Sequence, residues 1–273
     1  MRRHYTILLF LVAVLMVAGC EKEIAVDYHT VEPLYVVEAA LTGEQTLVHV
    51  TQTNDMSDNT SHTVANAQVT ITADDGTTAT AAYVSDGYYR ATMGGVAGHS
   101  YRLDVEVGGQ HFSSTSSMQR QPVVSSFRMV WQNMFATRLL FGEVIVDDFP
   151  NEENYYYIHV YRNGYGYRWT VFRDTGNPGQ ELKQLFACCA EDDVDSSNDL
   201  GATDVICEND KLYIEVRAID RRSYDYLASM QTMDSAGTNP IANFTGGCLG
   251  YFSAYSPVAI DYVFHRADVQ QSE

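Results

Sequence analysis

Between residues 34 and 121 the chain repeats one pattern, short alternating stretches separated by turn dipeptides at even spacing. Successive side chains of a strand point to opposite faces, so apolar and polar residues alternating with period two mark a strand with one buried face. Residues 67–73 (AQVTITA) alternate in this way, and Asp74-Asp75-Gly76 follows as a turn signal. Residues 79–85 and 88–93 flank Asp86-Gly87 and read as a hairpin. Residues 101–107 and 110–114 flank Gly108-Gly109 and read as another. Residues 34–41 form a strand closed by Gly43. In residues 46–53, Leu47, His49 and Thr51 share one face against Val48 and Val50 on the other. About seven short strands with turns between them predict an Ig-like β-sandwich over residues 34–121.

Gln121-Pro122 marks a boundary, and residues 122–273 read as a second β-rich domain with a cysteine-containing loop region and one short helix. Residues 139–146, 154–161, 168–173, 211–219 and 260–265 are its strands. In residues 154–161, Tyr156, Ile158 and Val160 share one face, and Tyr155, Tyr157, His159 and Tyr161 line the other. That second face is either a stacking surface for sugars or a partner, or an inner face against the helix. Asp220 caps the helix, in which Tyr224, Leu227 and Met230 recur at helical spacing. One helix among about a dozen strands excludes repeated βαβ units and argues against dinucleotide-binding and hydrolase architectures.

The chain opens differently. Arg2 and Arg3 precede an apolar run from Ile7 to Val17, which ends in Val17-Ala18-Gly19-Cys20. A charged start, a short apolar run and small residues before a cut describe a secretory signal peptide. The cysteine makes the pattern resemble a lipobox, with residues 1–19 as the signal, Cys20 as the lipidated N-terminus and residues 20–33 as an acylated tether. A spanning helix needs about 20 apolar residues, and this run is shorter. Removing residues 1–19 takes away Arg2 and Arg3 and no acid, so the net charge of −18 falls to about −20. Such a charge argues against nucleic acid and anionic lipid surfaces as partners.

Four further cysteines lie in the second half: Cys188, Cys189, Cys207 and Cys248. An exported chain sits where disulfides persist, and a bridge between the neighbours Cys188 and Cys189 would be strained. The expectation is two disulfides, with Cys207 and Cys248 each taking one of the neighbours. No CxxC or His-x-x-x-His spacing supports zinc. Asp193, Asp195, Ser197, Asp199 and Asp204 fall at the positions of a degenerate calcium loop, although Asn198 stands where the loop needs glycine and the terminal glutamate is missing. The alternative is a solvated acidic loop. Gly246-Gly247-Cys248-Leu249-Gly250 formally fits a thiol nucleophile elbow, but the strand-like residues after it favour a Gly-rich turn.

Several segments together resemble domain-of-unknown-function family 4249. They are residues 20–24 and 33–39, Asn66-Ala67-Gln68-Val69-Thr70-Ile71, Asp86-Gly87-Tyr88-Tyr89, residues 98–103, Asn154-Tyr155-Tyr156, residues 223–227, Asn239-Pro240 and residues 243–252 (NFTGGCLGYF). The last is the most specific. The resemblance implies a Bacteroidota outer-membrane lipoprotein, with the acidic residues after Cys20 acting as a surface-export signal. It also implies a neighbouring TonB-dependent transporter, and it carries no established activity or functional residues. The expected function is therefore a non-enzymatic, surface-exposed accessory or ligand-capture partner of such a transporter. The alternative is an adhesin or fimbria-like structural subunit.

Overall fold

In the computed structural model, the described residues are 32–54, 60–150, 152–174, 179–195, 205–236 and 240–271. Cys20, most of the tether, and the loop carrying Ser197, Asp199 and Asp204 lie outside them. The alternating stretches of the first half form strands β1 (Tyr35–Leu41), β2 (Thr46–Gln52), β3 (His62–Thr63) and β4 (Gln68–Ala73). They continue as β5 (Thr78–Ser85), β6 (Tyr88–Ala91), β7 (Ser100–Val107) and β8 (Gln110–Ser117). The turn between β5 and β6 needs positive φ at both central residues, and Asp86 (φ 48) and Gly87 (φ 78) supply it.

The first region is not the expected Ig-like pair of stacked sheets. Its strands belong to one nine-stranded sheet in which β15 (Leu249–Ala254) precedes β1 and the order continues β2-β6-β5-β4-β7-β8, with β3 beside β2. β5 turns the corner, since its first half pairs with β4 and its second half with β6. β15 lies parallel to β1, from Val36 opposite Leu249 to Leu41 opposite Ala254. The two ends then nearly meet: Ser113 on β8 exchanges backbone hydrogen bonds with Thr245, at 3.3 and 2.8 Å. The result is an almost closed barrel filled by Val37, Val48, Ile71, Leu103, Phe112 and Phe252. The expected division into residues 34–121 and 122–273 therefore does not follow the sheets, because the first is completed by a strand of the second. A parallel partner distant in sequence leaves no trace in local alternation.

The sandwich lies in the second half instead. Its strands are β9 (Val124–Met134), β10 (Thr137–Val146), β11 (Tyr155–Arg162), β12 (Tyr165–Arg173) and β13 (Leu182–Ala190). β14 (Lys211–Ile219), β16 (Pro257–Val263) and β17 (Gln270–Gln271) complete it. One four-stranded sheet has the order β13-β10-β9-β17 and the other β12-β11-β14-β16. Met129, Leu140 and Val144 from the first share a core with Ile158, Val160 and Ile214 from the second.

Helix α1 (Arg221–Ala236) follows β14. As expected, Asp220 caps it: its Oδ1 accepts the Ser223 N–H at 2.8 Å. Its buried stripe differs slightly from the expected one, because Tyr226 and Leu227 are buried while Met230 is exposed. The stripe packs with Tyr157, Val171, Ile219 and Tyr255, and Ala40 and Tyr251 border this third core. Strands of both the barrel and the sandwich thus share it, and Pro33–Glu273 form one compact unit.

Candidate binding cleft

Burial of one face of each strand dictates what the other face presents. On β2, Val48 and Val50 fill the barrel, so Leu47 and His49 point outward. On β11, Tyr156, Ile158 and Val160 fill the sandwich, so Tyr157, His159 and Tyr161 point away from it. These two outward faces meet in a cleft of about 460 Å³. That is within the range of ~300–1,000 Å³ usual for small-molecule sites.

The barrel wall is a row across four strands. Tyr251 on β15 stands opposite Glu38 on β1, Glu38 opposite His49 on β2, and His49 opposite Tyr88 on β6. His49 and Tyr88 stack with ring centroids 4.1 Å apart and planes within 8°. His49 donates from Nε2 to the Asp86 carbonyl at 3.1 Å, and its Nδ1 lies 3.8 Å from the Glu38 carboxylate. Cross-strand pairs also build the sandwich wall: Tyr157 opposite Arg217, His159 opposite Glu215, Tyr161 opposite Tyr213. The His159 and Tyr161 rings lie 4.1 Å apart.

Arg217 is the charged centre of this wall. Its guanidinium lies over the Tyr255 ring at 4.3 Å and the Tyr157 ring at 4.9 Å. It donates from Nη2 to Glu215 Oε2 at 2.8 Å, while its buried Nε has no hydrogen-bond partner among the described residues. Burial, and then the Arg217 charge, push the His159 pKa down to about 4, so the ring is neutral at physiological pH. Burial pushes the Tyr157 hydroxyl up. The cleft therefore offers stacking faces, hydroxyls, one exposed carboxylate and one compensated guanidinium. Two other surface clefts, one at the β7–β8 turn and one near Arg120, contain no Phe, Tyr or Trp.

The tyrosine face, expected to be either a stacking surface or an inner face against the helix, packs against the helix in part and lines the cleft in part. Tyr155 packs on Tyr224 of the helix, with centroids 4.9 Å apart, and Tyr157 belongs to the third core. Tyr157 also reaches the cleft, together with His159 and Tyr161. The barrel's contribution was not read from the sequence. An outward polar residue on a strand with an inward valine pair, such as His49, was its only signal.

The expected disulfides are not made: Cys188, Cys189, Cys207 and Cys248 are all free thiols. Cys248 is buried in the barrel core and Cys188 in the sandwich core, so counting cysteines paired residues that different cores hold apart. Burial pushes both thiols up to about 12, away from the reactive thiolate. Of the calcium positions, Asp193 and Asp195 are described, and Asp195 Oδ1 accepts the Glu208 N–H. No group of three His, Cys, Asp or Glu among the described residues is placed to hold a metal. Asp199 and Asp204 lie outside them.

The segment 243–252 acts as a latch. Asn243 Oδ1 accepts the Ser114 hydroxyl at 2.6 Å and the Phe252 N–H at 2.9 Å. Gly246 (φ 93) passes so close to β8 that a Cβ there would lie 2.2 Å from the His111 carbonyl oxygen. At Gly250 (φ 98) a Cβ would lie 2.0 Å from the Val37 carbonyl oxygen. These glycines let β15 dock against β1, which is the Gly-rich turn rather than a nucleophile elbow. Residues 21–260 match the family described as a domain of unknown function, DUF4249. The chain belongs to this family. The matched residues include the segment that closes the barrel. Comparison with the curated proteins finds no match.

Proposed function

We propose that this DUF4249 protein is a non-enzymatic, lipid-anchored lipoprotein of the outer membrane, displayed on the cell exterior, that captures a ligand for a TonB-dependent transporter. The observation that carries the reading is the cleft between barrel and sandwich. Its side chains offer stacking faces and hydrogen-bonding groups, and its His159 is neutral. The signal-like start, Cys20, and the acidic balance support an anchored and exported chain. The test is native co-purification from detergent-solubilised outer membrane of the source cells. The expected result is recovery of a TonB-dependent transporter with the wild-type chain, and loss of the chain from the membrane fraction on Cys20→Ala. Recovery with no transporter overturns the partner assignment. The structural-subunit alternative draws on the β9–β10 turn, where Phe135 is fully exposed beside Met134. Polymers of the purified chain that disappear on Phe135→Ser would favour it.

A further inference from the structure

Resting on that ligand-capture reading, we infer that the cleft takes a neutral saccharide, its sugar rings stacked on the His49–Tyr88 and His159–Tyr161 pairs. The choice follows from what the walls exclude. A cation favours an aromatic cage, but the space between Tyr157 and Tyr255 already holds the Arg217 guanidinium. A second cation placed there meets like charge. An anion meets Glu38 and approaches a chain of net charge −18. Arg217 offers little in compensation, because Glu215 already pairs with it at 2.8 Å.

An acyl chain would be matched by aliphatic walls, whereas this cleft has Leu47, Ala39 and Ala40 against the rings of Tyr88, Tyr157, Tyr161 and Tyr251 and of the two histidines. Flat rings with polar tips suit a ligand that has apolar faces and a polar perimeter. A pyranose or furanose has that shape, with C–H bonds on its faces and hydroxyls around its edge. The polar groups at hand match those hydroxyls. Glu38, with its side chain 59% exposed, accepts from them. The buried Arg217 Nε–H, which has no acceptor among the described residues, gains one in a hydroxyl or ring oxygen.

The experiment is titration calorimetry of the full chain with neutral oligosaccharides of glucose, mannose, galactose and xylose. Oligouronic acids and glucosamine oligomers serve as anionic and cationic arms. At least one neutral oligosaccharide is expected to bind. Tyr88→Ala and Tyr161→Ala are each expected to weaken it about tenfold or more, as loss of a central aromatic anchor does. Tyr88 is 39% exposed, so its truncation leaves the fold in place, which an unchanged thermal midpoint verifies. Binding that survives both substitutions overturns the inference. So does tighter binding of a charged arm, or no binding across the neutral panel. Each of these leaves the transporter co-purification untouched, so the ligand class and the accessory role fail separately.

Discussion

The barrel pairs mostly strands adjacent in sequence, such as β4–β5 and β7–β8, and then closes through a parallel strand from the far end of the chain, whereas the sandwich has two such hairpins, β9–β10 and β11–β12, and is completed by strands further apart in sequence, such as β10–β13 and β14–β16. The two regions also meet their tightest contacts differently. In the barrel, Gly250 abuts the Val37 backbone. In the sandwich, Gly142 abuts the Phe186 ring, where a Cβ would lie 2.1 Å from Cζ. A backbone oxygen in a sheet cannot yield without breaking the ladder, but a side chain can change rotamer. Closure of the barrel therefore depends on a few positions that tolerate nothing, and the sandwich depends on packing that can relax.

The contrast is sharpest at those two glycines. Gly250→Ala combines a left-handed backbone with a collision against main chain, and a loss of about 4 kcal/mol or more is expected. That is a large part of the ~5–15 kcal/mol typical of a whole domain. Gly142→Ala, without the backbone strain, is expected to cost about 1–3 kcal/mol. Urea unfolding of the two variants checks the order, and equal losses would erase the distinction between the regions.

The junction between them makes its own prediction. His159 titrates near 4 in the folded chain and near its ordinary value of 6.5 when unfolded. The unfolded state therefore binds more protons between these values, so stability from this group is complete above pH 6.5 and drains as pH falls towards 4. The loss expected across that window is roughly 2–3 kcal/mol. Glu143 behaves differently. Burial opposes its charge, but Arg128 and Lys183 outweigh it and hold its pKa below the usual carboxylate range. Its contribution is thus present above about pH 4.5 and is lost only as pH drops through its lowered folded value. His159→Gln should remove the upper step and leave the lower one; a pH profile identical to wild type would refute the assignment.

The smallest effect expected is at the tie between helix and barrel. Asp220 caps α1 through the Ser223 N–H and also accepts the Ser117 N–H at 2.9 Å and the Ser116 hydroxyl. Asp220→Ala should cost about 1–2 kcal/mol, the upper range for a cap. A loss no greater than that of a solvent-exposed cap would mean that the barrel contacts add nothing.

Much of the fold was legible. Asp86-Gly87 marks a hairpin because its two residues supply positive φ, and the Val48–Val50 and Ile158–Val160 pairs mark inward faces because a strand alternates. The cap at Asp220 was legible for the same local reason. Pairing over long distances was not: β15 reads as a strand after a glycine turn, with no sign that it joins β1. The disulfide expectation failed on the same ground, since residues 188 and 248 are both inward-facing but in different cores. The site was half legible. Tyr157, His159 and Tyr161 stood out as a face, whereas Glu38, Tyr88, Arg217 and Tyr251 look like ordinary outward residues until their strands are placed.

By itself, then, the sequence determined most of the strands and the two faces into which alternation divides them, because alternation and turn chemistry act within a few residues, while β9 and β13 were not read from it. Only the tertiary structure decided that the first sheet curls into a barrel completed by residues 249–254, and that its outer face meets the sandwich. That meeting depends on the order of strands around a sheet, a long-range property that no local pattern encodes, and it alone turns two separate aromatic faces into one cleft.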